Sequence, residues 1–146
     1  MRALLDVNVL IALLDAAHVH HGTATDWLNR QLRHGWASCP ITQATQAGCI
    51  RIMSQPAYPG PLRAADVAAR LTEAAAGPAH VFWPAAVDLL LPGSLDWTRV
   101  LGHRQVTDAY LLAVAVQNQG RLVTLDKRIR HDAVPGAAPQ HLAVID

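Results

Sequence analysis

Short apolar runs alternate with segments of helical periodicity along the chain. Short runs bounded by turn residues are typical of buried strands, whereas apolar residues at helical spacing are typical of helices packed on one face. The pattern predicts strands at Leu4–Leu5, Trp36–Cys39, His80–Trp83, Arg121–Leu125 and Leu142–Ile145. It predicts helices at His20–Arg33, Thr42–Ser54, Leu62–Ala76, Thr107–Asn118 and Val7–Leu14, and a further short helix capped by Ser94 and ending at Leu101.

This alternation of strands and helices favours an α/β fold. We expect a three-layer α/β/α arrangement, with a central, mostly parallel sheet and helices on both faces. The length of 146 residues suits a single domain covering 1–146. We interpret residues 132–140, which contain two prolines and a glycine, as a loop rather than a linker between domains.

Composition adds limits on location and partners. The formal net charge is +1, so any contact with nucleic acid must come from local basic clusters rather than from an overall field. No apolar stretch approaches the roughly 20 residues needed to span a bilayer, so no membrane partner is expected. Cys39 and Cys49 match no metal-binding spacing, and nothing else indicates secretion. The default expectation is a soluble cytoplasmic protein.

Three aspartates occupy equivalent places in the predicted fold. Asp6 follows the first strand, Asp126 follows the fourth, and Asp108 is predicted in the first turn of the helix that starts near Thr107. In a doubly wound sheet, the carboxyl ends of strands and the N-termini of the following helices open onto one crevice. Crowded carboxylates repel each other, and a hard divalent ion such as Mg²⁺ or Mn²⁺ relieves that repulsion. Such an ion can activate water and hold a phosphodiester.

Other interpretations of these acids stay open. Aspartate is among the best N-cap residues and is favoured in first helical turns, so each one alone also suits a capping role. A receiver-type phosphorylation domain would need paired acids after the first strand and a late lysine. A haloacid-dehalogenase-like phosphatase would need two aspartates where this chain has Asp6 and Asn8. The motif mismatches disfavour both of these enzyme classes.

Three segments resemble the motifs of PIN domains, in the family's order. Leu5–Leu10 is similar to the opening strand and helix with D-x-N, Gln105–Leu111 to the central motif, and Leu122–Arg128 to the T-x-D motif. The segments Thr45–Arg51 and Ser54–Tyr58 resemble the VapC toxin branch of that family. The resemblance covers nearly the whole chain.

This resemblance implies a metal-dependent ribonuclease. PIN domains have a central parallel sheet flanked by helices and cut single-stranded or loop RNA with Mg²⁺ or Mn²⁺. It makes Asp6, Asp108 and Asp126 the expected metal ligands and catalytic residues. VapC proteins are toxins of type II toxin–antitoxin systems and usually form homodimers. The resemblance therefore implies a toxin that forms a homodimer. It also implies a VapB-like antitoxin that blocks the active site, often with a basic side chain.

Gln46 is the main departure from the family pattern. Many family members carry glutamate at this place, and we count Gln46 among the predicted catalytic residues. An amide oxygen can contact a metal or its water but brings no charge, so divalent-ion affinity should fall. Glutamine also cannot act as a general base at neutral pH. A second function therefore stays open, a catalytically weakened PIN relic that binds RNA or a protein partner without cutting.

Residues around the acids are predicted to bind the substrate. They are Asn8, Arg51, Arg104, Thr124 and Lys127. Asn8 is expected to orient Asp6, with helix capping as its alternative. Thr124 is placed to hydrogen-bond a ligand carboxylate or a nearby water. Basic groups on both sides of the acids, including Arg104, Lys127 and Arg128, can hold RNA phosphates, although solvated helix ends are the simpler explanation for some of them.

Overall fold

A five-stranded sheet forms the centre of the molecule. The computed structural model describes residues 1–39 and 45–146. Its strands are β1 (Ala3–Leu5), β2 (Trp36–Ser38), β3 (His80–Phe82), β4 (Arg121–Thr124) and β5 (Leu142–Val144). The order is β3-β2-β1-β4-β5, and every pairing between these strands is parallel. The predicted α/β fold is therefore confirmed, and each strand lies within one residue of its predicted bounds.

The described residues contain five α-helices, which lie between the first four strands of the chain. They are α1 (Val7–Leu14), α2 (His21–Gln31), α3 (Gln46–Met53), α4 (Ala64–Ala75) and α5 (Arg104–Gln117). The first residues of the predicted helix at Thr42–Ser54 lie outside the described residues. In residues 1–39 and 45–146, no helix is long and apolar enough to cross a bilayer.

Two predictions about the last third of the chain were wrong. Helix α5 begins at Arg104 rather than near Thr107, because its first two residues, Arg104 and Gln105, are polar and give no apolar signal. The predicted helix from Ser94 to Leu101 is only a 3-10 turn at Trp97–Arg99. Asp96 caps that turn by accepting from the backbone nitrogen of Thr98, whereas the Ser94 hydroxyl donates to the carbonyl of Asp88.

The sheet separates two apolar layers. On one face, Leu4 and Leu122 pack with the buried side of α5, including Leu111 and Leu112. On the other face, side chains of β1 and β4 pack with the apolar residues of α1, α3 and α4. Alternate residues of one strand thus point to opposite layers, as the geometry of a β-strand requires. Helices cover both faces, which completes the α/β/α arrangement.

The central position of β1 determines where its carboxyl end lies. Leu5 of β1 is in register with Val123 of the neighbouring β4, and the backbone nitrogen of Asp6 donates to the carbonyl of Val123 at 2.9 Å. The residues that follow β1 and β4 are therefore neighbours in space, although more than a hundred positions separate them in the chain. This edge of the sheet is where the predicted acidic site should form.

Gly120, just before β4, gives a prediction about packing. A Cβ atom at this position would lie 2.5 Å from the ring of Trp83 and 2.6 Å from the backbone oxygen of Arg2. We expect Gly120→Ala to lower the free energy of unfolding by about 2 kcal/mol or more, because the backbone cannot move away cheaply. Urea denaturation measures this change.

A matched control is Gly22→Ala in α2, where a Cβ would meet nothing within 4 Å. There we expect a gain of about 0.5–1 kcal/mol from the better helix propensity of alanine. Equal stabilities for the two alanine variants would contradict the packing argument.

Candidate active site

Asp6 lies at the carboxyl end of β1 and is nearly inaccessible, with 6% of its surface exposed. Its Oδ1 accepts from the backbone nitrogen of Val7 at 2.7 Å, so it does cap α1, as the capping alternative requires. Burial raises the pKa of its carboxyl, and hydrogen bonds from Thr124 and Val7 offset part of that rise. A cap needs no such burial, because N-cap side chains work equally well at the surface. Capping alone therefore does not account for the position of Asp6.

Thr124 and Asn8 hold the second carboxylate oxygen of Asp6. The Thr124 hydroxyl donates to Oδ2 at 2.7 Å and the Asn8 amide donates to it at 3.2 Å. The Asn8 amide also donates to the Thr124 hydroxyl at 3.1 Å, and Asn8 Oδ1 accepts from the backbone nitrogen of Leu125 at 3.1 Å. The network ties the ends of β1 and β4 together. Thr124 is fully buried, so it is placed to orient Asp6 and not to contact a macromolecule directly.

Asp126 follows β4 and forms hydrogen bonds through both its backbone and its carboxylate. Its backbone nitrogen donates to the Thr124 hydroxyl at 3.0 Å, which joins it to the network around Asp6. Its carboxylate accepts from the guanidinium of Arg128 at 2.9 and 3.0 Å. The hydrogen bond from Arg128 lowers the pKa of Asp126, so this carboxylate stays ionised.

Asp108 approaches the same place from α5. It was predicted in the first helical turn, but α5 begins at Arg104, so Asp108 is the fifth residue of the helix. It is therefore not a helix cap. Burial, followed by repulsion from Asp6 and Asp126, raises the pKa of Asp108 to about 6. That mutual repulsion indicates that the structure brings the three aspartates together.

The three carboxylates suit a divalent cation by their chemistry. Hard ions such as Mg²⁺ prefer oxygen ligands, and a cation would relieve the repulsion that raises the pKa of Asp108. As the side chains stand in the described part of the chain, no three His, Cys, Asp or Glu residues form a closed group of metal ligands. Hydrogen bonds from within the chain occupy the oxygens of Asp6 and Asp126. The chemistry of the three carboxylates fits such an ion, which would have to displace some of these hydrogen bonds.

A cleft of about 320 Å³ gives access to two of the acids. Asp108 and Asp126 line it together with Arg104 and Arg128. Of the other predicted substrate-binding cations, Lys127 is paired with Asp146 at 3.1 Å and does not line this cleft. Arg51 is exposed near the end of α3. The cleft therefore combines negatively charged carboxylates with positively charged guanidinium groups.

Gln46 lies in a different environment from the three aspartates. Its amide nitrogen donates to the Ser38 hydroxyl at 3.0 Å, and that hydroxyl lies 2.8 Å from Nε2 of His80. Gln46 and His80 line a separate cleft that shares no lining residue with the acidic one. The catalytic role expected of Gln46 remains a prediction, and Ser38 and His80 are partners that the sequence pattern did not indicate.

Arg128 was given no individual role in the sequence-based site. The sequence pattern predicts it only as one of several basic groups after Asp126 and predicts Lys127 as a substrate contact. In the structure it is the cation that binds an acid of the cleft. The available signal was the spacing Asp126-x-Arg128, which allows the side chain of one residue to turn back onto the other.

Most of the chain matches the model of one protein family. The family model for the PIN domain matches residues 3–134, and the chain belongs to the PIN domain family. The resemblance found in the three motifs is thereby confirmed.

Several curated relatives share most of their length with this chain. Ribonuclease VapC44 of Mycobacterium tuberculosis is 50% identical over 145 residues, which cover 99% of this chain and 100% of the relative. Ribonuclease VapC39 of the same species is 41% identical over 137 residues, 93% of this chain and 96% of the relative. Ribonuclease VapC29 is 41% identical over 131 residues, 90% of each chain. The similarity therefore extends over whole chains and not only over the acidic motifs.

Proposed function

We propose that this protein is the toxin of a type II toxin–antitoxin system and acts as a Mg²⁺- or Mn²⁺-dependent endoribonuclease. The observation that carries the proposal is the meeting of Asp6, Asp108 and Asp126 at the carboxyl ends of β1 and β4. Membership of the PIN family and similarity to proteins named ribonuclease VapC support RNA as the substrate.

The chain's own residues have separable tasks in this proposal. Asp6, Asp108 and Asp126 would hold the ion, which would supply the Lewis-acid chemistry that activates water and stabilises charge on the phosphodiester. Asn8 and Thr124 keep the Asp6 carboxylate in one orientation through hydrogen bonds of 3.2 and 2.7 Å. Arg104, which is exposed and lines the same cleft, would bind an RNA phosphate.

The primary test is cleavage of RNA by the purified chain. We expect single-stranded or loop RNA to be cut in the presence of millimolar Mn²⁺ or Mg²⁺, and EDTA to stop the reaction. Gel analysis of a labelled RNA measures the products. RNA that is bound but stays intact at millimolar Mn²⁺ would favour the alternative function, a PIN relic that binds without cutting.

The proposal extends to location and partners. We propose one cytoplasmic domain that forms a homodimer and is inhibited by a VapB-like antitoxin. A small open reading frame next to the gene should encode that antitoxin, and its co-expression should relieve growth arrest caused by this chain. Light scattering of the purified protein measures the oligomeric state.

Gln46 gives a prediction that tests its assignment to the site. A glutamate would add one negative charge, and in water that charge attracts a divalent ion about 8 Å away with a free energy of about 1 kcal/mol. We expect Gln46→Glu to lower the Mg²⁺ concentration for half-maximal cleavage about fivefold. The charge-matched control is Gln55→Glu, at an exposed position beyond α3. If both variants need as much Mg²⁺ as the wild type, Gln46 does not belong to the metal site.

A further inference from the structure

Arg128 donates three hydrogen bonds to the carboxylate of Asp126. Its Nε lies 3.0 Å from Oδ1 and its Nη2 lies 2.9 Å from Oδ2 of the carboxylate. Its backbone nitrogen donates to Oδ1 as well, at 2.9 Å. The planar guanidinium thus uses both oxygens at once, which is the strongest geometry available to an arginine and a carboxylate. A metal ion that binds Asp126 must compete for the same oxygens.

This ion pair is nevertheless able to open. The side chain of Arg128 is 77% exposed, whereas that of Asp126 is 25% exposed. Pairs with one well-hydrated partner contribute little free energy, because water and salt screen the attraction. The arginine can therefore leave the carboxylate without becoming a buried, uncompensated charge.

The position of Arg128 determines what it would meet after leaving. It lines the acidic cleft with Asp108, Asp126 and Arg104. Its positive charge also acts on Asp108, where it counteracts part of the rise in the pKa. A released guanidinium would remain at the mouth of the same cleft, where an RNA phosphate must approach the three acids.

We propose that Arg128 is an exchangeable counter-ion of the acidic cleft. Without metal it holds the carboxylate of Asp126; when a divalent cation takes that carboxylate, Arg128 is released and binds an RNA phosphate. The inference rests on the proposed function, because it needs both the metal site and the RNA substrate. It adds to that function a coupling between metal binding and RNA binding, which the side chain of Arg128 provides.

Such an exchange has a thermodynamic signature. A metal ion that frees an RNA-binding group raises the affinity for RNA, and bound RNA must raise the affinity for metal by the same factor. Removing the arginine should therefore have opposite effects on the two ligands. Metal alone should bind more tightly, whereas the metal-induced gain in RNA affinity should shrink.

The first measurement is calorimetric titration of Mn²⁺ into the wild-type chain and Arg128→Gln. An ion pair of this exposure is worth up to about 1 kcal/mol, so we expect Mn²⁺ to bind about fivefold more tightly to the variant. The matched control is Arg63→Gln. Arg63 forms the same two-bonded fork with Asp66, at 3.0 and 3.1 Å, at the start of α4. This control should bind Mn²⁺ as the wild type does.

The second measurement is the affinity for a labelled single-stranded RNA with and without Ca²⁺. Here Ca²⁺ replaces Mn²⁺ so that binding is measured on uncut RNA, and a gel checks that the RNA keeps its length. We expect Ca²⁺ to raise the RNA affinity of the wild type and of Arg63→Gln. In Arg128→Gln the rise in RNA affinity should be at least about threefold smaller. In that variant the bound ion acts only through its own positive charge, without releasing an arginine.

The outcomes separate this inference from the proposed function. Absence of Mn²⁺ binding to the wild type overturns both. Equal Mn²⁺ affinity in the wild type and Arg128→Gln overturns the exchange but leaves the metal site intact. An equal loss of RNA affinity with and without Ca²⁺ makes Arg128 a permanent phosphate contact, which also overturns the exchange.

Discussion

Replacing Asp6 with asparagine is expected to lower the rate of RNA cleavage by at least about 100-fold. Loss of a residue that merely supports a metal ligand already costs about 10- to 100-fold, so loss of a ligand's charge should cost more. Asparagine has the shape of aspartate and is an equally good N-cap, so α1 should persist, although its amide nitrogen cannot accept the hydrogen bonds from Thr124 and Asn8. Initial rates with excess Mn²⁺, together with circular dichroism of the variant, measure both quantities.

Two further variants make this prediction specific. Asp66→Asn removes an exposed carboxylate at the start of α4, where Asp66 is paired with Arg63, and should leave cleavage unchanged. Thr124→Val removes the hydroxyl that donates to Asp6 at 2.7 Å and should lower the rate by an intermediate amount, about 10-fold. Wild-type rates in Asp6→Asn would remove Asp6 from the metal site.

Replacing Asp108 with asparagine is expected to abolish cleavage and, at the same time, to stabilise the metal-free protein. The half-buried carboxyl of Asp108 has its pKa raised from 3.8 to about 6 by burial and by Asp6 and Asp126, so its ionised form opposes folding. Allowing for solvent screening, we expect a gain of about 1 kcal/mol at pH 7.5, or about 3 °C in Tm. Thermal denaturation in EDTA measures the gain.

The pH dependence of this gain follows from the direction of the pKa shift. A carboxyl whose pKa is higher in the folded than in the unfolded state lowers stability as the pH rises between the two values. The destabilisation is therefore absent below about pH 3.8 and complete above about pH 6. The advantage of Asp108→Asn should shrink toward pH 4. A difference in Tm that does not change with pH would contradict this electrostatic origin.

Metal provides an independent check on Asp108. Saturating Mn²⁺ should raise the Tm of the wild type, because a ligand that binds only the folded state stabilises it. The same ion should have a much smaller effect on Asp108→Asn. Asp66→Asn should gain no stability in EDTA and should respond to Mn²⁺ as the wild type does, because the pKa of Asp66 is lowered by Arg63 rather than raised.

The periodic pattern of the chain was sufficient for the secondary structure, apart from places where polar residues carry no pattern. All five described strands were predicted to within one residue, because each is a short, mainly apolar run bounded by turn or helix signals. The start of α5 was predicted three residues late, because Arg104 and Gln105, the first two residues of the helix, are polar. That error placed Asp108 in the first turn and left helix capping open as its role.

The hydrogen-bond partners of the site residues could not be predicted from the periodic pattern. The bond from Thr124 to Asp6 joins residues 118 positions apart, and it exists only because β4 lies beside β1 in a defined register. Gln46 illustrates the same limit, because a family motif associates it with acids while its amide in fact donates to Ser38. Which donor satisfies a buried polar group depends on packing, and the linear order of residues does not specify packing.

The sequence by itself determined the α/β class and the family, and it indicated three candidate aspartates, Asp6, Asp108 and Asp126. It did so because strand and helix periods, and the order of short motifs, are local properties of the chain. Only the tertiary structure decided how the pKa values of these three aspartates differ from one another. Burial and mutual repulsion raise the pKa of Asp6 and Asp108, whereas Arg128 lowers that of Asp126. Electrostatic energies depend on distance and exposure, and both arise only when the strands are assembled.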